Sequence, residues 1–275
     1  MMNLSDLLTV IIPVYNEEDN LPLCLDCIKE LEHKVVVDSG STDRTKAIAL
    51  EYGCQFMEFK WNGHPPKKRT WAMRNCGVKT PWVMFLDADE RMTEAFKKEL
   101  TEVLPTTKHD KFWCFFNNWF MGRMMCHGDT FRKDYLIRFG KGEFEQIEES
   151  RWSTLPIEMH EHIITEGTAG KIKARLEHHD KRTLSNYYRK HCDYADFEAK
   201  RFMAIKDWSK LSRREKIKYR LLRNKFFPFA YFIYCYIIRG GFLDGKAGFY
   251  FSFNKMNQFY QLQARVIEIE SDYFK

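Results

Sequence analysis

Short unbroken apolar runs alternate with amphipathic stretches over the first 90 residues, and that alternation leaves few folds open. Residues 7–14 (LLTVIIPV), 35–37 and 82–86 (WVMFL) have the continuity of strands buried on both faces, and 55–59 is a weaker run of the same kind. Between them Leu21, Cys24, Leu25, Ile28 and Leu31 make one helical stripe. Residues 42–52 suit a helix with Ser41 as N-cap, and 68–76 suit another ended by Gly77. Strand, helix, strand, helix, strand, helix, strand predicts an α/β, Rossmann-like domain with a mostly parallel central sheet and right-handed crossovers. Ligands of such sheets sit beyond the carboxyl ends of the strands, so those ends carry the functional argument.

Three predicted strand ends are polar and acidic: Pro13-Val14-Tyr15-Asn16-Glu17-Glu18, Asp38-Ser39-Gly40-Ser41-Thr42-Asp43 and Asp87-Ala88-Asp89-Glu90. Neither G-x-G-x-x-G nor G-x-x-x-x-G-K-[ST] occurs, which excludes a dinucleotide fingerprint and a Walker loop. Asp87 and Asp89, two apart, can face the same side, where a divalent cation relieves their repulsion. Oxygen ligands suit Mg²⁺ or Mn²⁺ bridging to phosphates. A solvated acidic loop capping the next helix gives the same pattern. Lys67, Lys68 and Arg69 place cations at the start of the predicted 68–76 helix, where the dipole adds to their charge; this suits a diphosphate, and an exposed basic loop has the same composition.

In order and spacing, Asn16-Glu17-Glu18, Asp38-Ser39-Gly40-Ser41-Thr42-Asp43 and Asp87-Ala88-Asp89 resemble the family-2 glycosyltransferases of the GT-A fold. The resemblance implies a nucleotide-sugar site at Pro13, Tyr15, Glu17, Asp38, Lys68, Arg69, Asp87 and Ala88. In it Tyr15 and Glu17 line the base pocket, Asp38 accepts from the uracil N3–H, and Asp87 and Asp89 serve ribose and a metal, Mg²⁺ or Mn²⁺. Within the family the chain is similar to the lipopolysaccharide inner-core β-1,4-glucosyltransferases. Trp119-Phe120-Met121-Gly122, His127-Gly128, Arg138-Phe139, His160-Glu161, Leu176-Glu177-His178 and Arg239-Gly240-Gly241-Phe242-Leu243-Asp244-Gly245 carry that likeness. It implies Glu161 as general base, His178 beside Asp89 at the metal or on the diphosphate, and Trp119, Arg138 and His160 toward the acceptor. In an extended segment Glu161 points opposite to His160 and His162, so only one set faces a cleft. A surface carboxylate flanked by surface histidines stays open. Zinc is disfavoured, because H-E-x-x-H is absent.

Charge divides the chain. Residues 1–110 hold 14 Lys and Arg against 18 Asp and Glu, whereas residues 171–240 hold 19 against 7. The basic stretch 206–225 runs directly into FFPFAYFIY at 226–234, a sequence that suits an anionic membrane surface; a solvated helix followed by a core helix is the plainer account. No recognisable nucleic-acid module accompanies the basic stripe, so no nucleic-acid partner is expected. There is no apolar run of 18 residues, and 226–238 contains Pro228, so no spanning helix is expected. The start of the chain lacks a basic region and a small-residue cleavage site, and its eight cysteines are scattered. The expected location is the cytoplasm, peripheral to the inner face of the cell membrane.

The sequence therefore predicts a GT-A catalytic domain over residues 1–180 and a helical, basic and aromatic extension over 181–275. The expected activity is an inverting transfer, with glucose from UDP-glucose as donor and a glycolipid or lipopolysaccharide-core acceptor. A sugar nucleotidyltransferase is the first alternative, although its Gly-rich basic loop is missing after the first strand. A non-catalytic membrane-surface module is the second, and it leaves three acidic strand ends without purpose.

Overall fold

Strands buried on both faces must send alternate residues into two different cores, and the first strands of this protein do so. The computed structural model describes residues 3–129, 131–145, 162–211 and 213–271. Its elements are α1 (Leu4–Leu7), β1 (Leu8–Val14), α2 (Leu21–Asp26), β2 (Lys34–Asp38), α3 (Thr45–Glu51), β3 (Gln55–Glu58), α4 (Lys68–Asn75), β4 (Trp82–Phe85), β5 (Glu90–Arg91) and α5 (Glu94–Val103). They continue with β6 (Lys111–Phe120), β7 (Arg123–Met125), β8 (Arg132–Arg138), β9 (Glu143–Phe144), β10 (Ile163–Ile164), β11 (Ala169–His178), α6 (Leu184–Ala204), α7 (Arg213–Leu222), α8 (Phe227–Ile233) and α9 (Gly245–Ser271).

Val10, Ile12, Val36, Trp82 and Met84 point into one core with Leu21, Leu25 and Ile28, while Ile11, Val35, Val37, Val83 and Phe85 point into the other with Ala72 and Met73. Apolar residues on both faces leave no solvent side, which is why these strands read as continuous runs. The main sheet runs β3-β2-β1-β4-β8-β6-β11-β5. β3, β2, β1 and β4 are mutually parallel, β8 is antiparallel to β4 and β6, and β11 runs parallel to β6. This is the mixed α/β class, with a mostly parallel central sheet, that the sequence implies.

Register brings the strand ends together. Val14 pairs with Asp38 and Asp38 with Glu58, while Ile11 pairs with Phe85, so the tips of β1, β2, β3 and β4 leave the sheet along one edge. One expectation is corrected here. Ser41 caps no helix; α3 starts at Thr45, because the Ser41 hydroxyl bonds Asp38 and accepts from the Asn16 N–H instead.

The described residues fall into two compact units. One contains residues 3–119, 131–145 and 162–182 and holds the main sheet; the other contains residues 120–129 and 183–271 and is mainly helical. In the helical unit Ala195, Ala199 and Phe202 of α6, Tyr219 and Leu222 of α7, and Leu262 and Val266 of α9 share one core. No helix among the described residues is long and apolar enough to cross a membrane.

Candidate active site

The tips of β1 and β2 are tied to each other before they meet any ligand. Asn16 adopts a positive φ of 52°, which turns its amide so that Oδ1 accepts from the Thr42 N–H at 2.8 Å, while its own N–H donates to Ser41 Oγ at 2.8 Å. Asn tolerates the left-handed region better than bulkier residues. The Glu17 N–H donates to Thr45 Oγ1 at 2.9 Å. Asp38, buried at the end of β2, accepts from the Gly40 and Ser41 N–H groups at 3.2 and 2.9 Å and from the Ser41 hydroxyl. A carboxylate has about four accepting positions, and three are used among the described residues. Pro13 lies in β1, and Tyr15 is exposed just beyond it.

The tip of β4 is the electrostatic centre. Asp87, Asp89 and Glu90 each place a carboxylate oxygen within 4.8 Å of the others. Three carboxylates so close need positive charge, and the protein supplies much of it. Arg69 Nη2 donates to Asp87 Oδ1 at 2.9 Å; Lys133 donates to Asp87 Oδ2 and, at 2.6 Å, to Glu90 Oε1. Burial works against the charge on Asp87, but Lys133 and Arg69 outweigh it and hold the carboxyl well below the usual range. For Glu90 burial wins, and with Asp87 and Asp89 close by it pushes the carboxyl up to about 7 against the pull of Lys133. Burial opposes the Lys133 charge, yet Asp87 and Glu90 raise its ammonium above the ordinary value. Ala88 is buried between the two aspartates.

Asp89 faces a different set of partners. His178 Nε2 lies 3.5 Å from Asp89 Oδ2, and Arg182 Nη2 lies 3.9 Å from the same oxygen. Strand pairing fixes this approach: β11 runs antiparallel to β5 with His178 opposite Glu90, and the His179 N–H donates to the Asp89 carbonyl at 2.8 Å. Two ligand atoms that share a divalent ion at about 2.0–2.2 Å each stand about 3–4 Å apart. Asp89 and His178 have that spacing and both atom types suit Mn²⁺, so a divalent ion could be held by this pair or by the Asp87, Asp89 and Glu90 group. Arg182 donates to Glu17 Oε1 at 3.0 Å and to both oxygens of Asp180, and Asn20 Nδ2 donates to Glu17 Oε2 at 2.9 Å and to Asp180 Oδ1 at 3.0 Å. Glu17 and Asp89 are thus bridged through one guanidinium.

Lys68 and Arg69 open α4 and are buried; Lys68 Nζ donates to the Val14 carbonyl at 3.2 Å, and Arg69 stacks over the Tyr135 ring at 4.7 Å. Trp119 stacks on His179 with ring centroids 5.2 Å apart, next to the His178 end of β11, and its buried indole N–H has no hydrogen-bond partner among the described residues. Arg138 is placed elsewhere. It pairs with Trp82 at the opposite end of β4, donates to the Thr107 and His109 carbonyls and stacks over the Trp82 indole, so the sheet register removes it from the carboxylate edge. Glu161 and His160 lie outside the described residues. Their neighbour His162 shares a 3.3 Å contact between Nδ1 and Asp134 Oδ1.

Sequence inspection missed Lys133, Arg182 and Asn20. The local signs were faint: Lys133 sits between two other charged residues, Arg132 and Asp134, at the start of β8, and Arg182 follows four positions after His178.

The family model for glycosyl transferase family 2 matches residues 9–154, a span that includes all three strand tips. The chain belongs to glycosyl transferase family 2. This family 2 member is 27% identical over 273 residues to LpsC of Rhizobium meliloti, a lipopolysaccharide core biosynthesis glycosyltransferase, covering 94% of this chain and 93% of LpsC. Among solved structures, S. aureus TarS 1-349 superposes over 98% of this chain and 93% of its own at 15% identity and a TM-score of 0.45. Glucosyl-3-phosphoglycerate synthase of Mycobacterium tuberculosis, crystallised with Mn²⁺, UDP-glucose and phosphoglyceric acid, matches 40% of this chain and 44% of its own at 21% identity and a TM-score of 0.34. As a family 2 glycosyltransferase the protein is an enzyme of sugar transfer.

Proposed function

We propose that this family 2 glycosyltransferase moves glucose from UDP-glucose, with inversion and with Mg²⁺ or Mn²⁺, to a glycolipid or lipopolysaccharide-core acceptor at the cytoplasmic face of the membrane. The observation that carries the proposal is the meeting of Asp38, Glu17, Asp87 and Asp89 at one sheet edge, with Asp89 3.5 Å from His178. The likeness to LpsC over nearly its whole length supports the acceptor class.

In this account Asp38 uses its remaining accepting position for the uracil N3–H, while Tyr15 and Glu17 border the base. Asp87, kept ionised by Lys133 and Arg69, accepts from ribose hydroxyls. Lys68 and Arg69 stand at the start of α4, where cations and the helix dipole together favour a diphosphate. Asp89 and His178 would hold the divalent ion, which supplies charge stabilisation to the departing diphosphate. Trp119, half-buried and stacked on His179, offers a flat ring to a sugar. Glu161 takes the proton from the acceptor hydroxyl as that oxygen attacks the anomeric carbon, and UDP leaves on the opposite side.

A thermal-shift panel of nucleotide sugars with and without Mn²⁺ tests the donor. A ligand at about 100 times its Kd adds about 2.7 kcal/mol, which moves the midpoint by several degrees. The largest shift is expected for UDP-glucose with Mn²⁺. A shift produced instead by a nucleoside triphosphate, with pyrophosphate released on adding a sugar phosphate, would make the protein a nucleotidyltransferase.

A further inference from the structure

We infer that the helical unit docks on the surface of an anionic phospholipid bilayer through one face of residues 226–253. The inference deepens the sugar-transfer proposal by naming the surface on which a lipid-borne acceptor is met.

Phe226, Phe229, Ile233 and Ile237 are exposed by 64, 57, 52 and 54%, and they follow one another at intervals of three and four residues along α8 and its wider-wound continuation Tyr234–Ile238. Such spacing is one stripe of a helix. The opposite side already has its core partners: Phe227 and Tyr231 pack against Phe259 of α9 at 4.8 and 4.7 Å, and Cys235 is fully buried. The stripe is therefore apolar surface for which the unit's own interior has no use. Rings extend it sideways. Tyr236 packs on Phe242 and Phe249, and Phe249 stacks on Phe253, while Leu243 and Tyr250 are half exposed beside them. Contiguous apolar surface of this kind marks an interaction site.

Charge selects the occupant. Between residues 223 and 260 the cations are Arg223, Lys225, Arg239, Lys246 and Lys255, and the one acid is Asp244. Asp244 is buried and occupied by the N–H groups of Cys126 and His127 and by the His127 ring. Arg223 pairs with Glu270 at 3.5 Å and Lys255 with Asp129 at 3.4 Å, so the charge offered to anionic headgroups comes from Lys225, which lies over the Phe226 ring, and Lys246. A second copy of the chain would set cations against cations. Phe, Tyr and Ile edged by Lys and Arg form the composition of a segment that lies in a membrane interface.

The Arg239–Asp244 turn, whose sequence had no assigned task, gives the docking a purpose. The Gly128 N–H donates to the Arg239 carbonyl at 2.9 Å and Arg239 Nε donates to the Gly128 carbonyl at 3.2 Å, while Gly240 takes a φ of 71° against His127. A Cβ on Gly248 would come within 1.9 Å of the Gly241 carbonyl, so only glycine lets α9 start this close to the turn. Residues 126–129, which include the His127-Gly128 motif, are thereby fastened to the segment that carries the apolar stripe.

Flotation of the full chain with vesicles of phosphatidylcholine, alone or mixed equally with phosphatidylglycerol, tests the inference. The chain is expected to float with the mixed vesicles, not with phosphatidylcholine alone, and to be partly released by high salt. Ile233→Ser and Ile237→Ser should each weaken binding about tenfold, and Lys225→Glu with Lys246→Glu should flatten the salt dependence. Hydrogen exchange on the unaltered chain gives a second readout, with amides of residues 226–243 slowing when mixed vesicles are added. Wild type left unbound at both compositions, serine variants that float like wild type, unchanged exchange, or a wild-type dimer that the serine variants dissolve would each overturn the inference. Flotation needs no sugar donor, so a chain that floats but releases no UDP retires the donor assignment alone.

Discussion

At the scale of single residues the site is governed by how its carboxylates are compensated. Lys133 stands between Asp87 and Glu90, the latter with a fully buried side chain, and it is the only cation bonded to both among the described residues. Removing one partner from a buried ion pair leaves charge without compensation and costs about 3–5 kcal/mol. Lys133→Met is expected to lower stability toward urea by that order, and a further Glu90→Gln should recover part of the loss. A Lys133→Met protein as stable as wild type would mean that other groups carry the charge balance. Such pairings explain what local sequence conceals: Lys133 and Asp87 are 46 positions apart, and Arg182 and Glu17 are 165 apart. Asp87 and Asp89 stand out beside a hydrophobic strand, and Arg69 stands out in its basic cluster at the start of α4; Lys133 from β8 and Arg182 from beyond β11 carry no pattern of their own.

Among elements, β1, β2 and β4 were legible because burial on both faces removes polar alternation, and α4 because glycine follows it. The start of α3 was not, since a serine hydroxyl has several possible partners and Ser41 takes Asp38 and Asn16. Arg138 looked suited to the acceptor by motif, yet β8 runs antiparallel to β4, which sends its end to the far edge. Helix α6 carries its own pH response. His191 stacks on Tyr187 at 3.9 Å and Nδ1 meets the Tyr187 carbonyl at 2.8 Å; burial, aided by Lys255 and Lys190, lowers its pKa to about 4 despite that carbonyl. The unfolded chain, near 6.5, binds this proton first, so stability is full above that pH and falls as pH drops from 6.5 toward 4. His191→Gln should flatten this acid limb in thermal melts taken across that window. An unchanged slope would show that the imidazole is not the responsible group.

For the whole molecule, charge division and apolar surface separate two kinds of work. The sheet unit gathers acidic strand ends and their cations, and the helical unit combines a basic surplus with an exposed apolar stripe. Family membership establishes sugar transfer; donor, metal and acceptor rest on the proposed chemistry of the strand edge. The most direct test is turnover of UDP-glucose against Mn²⁺ concentration for wild type and Asp89→Ala, with folding checked by circular dichroism. Wild type is expected to require the ion, and Asp89→Ala to fall at least about 100-fold in kcat. Equal turnover of the two proteins with the same Mn²⁺ dependence would contradict the account.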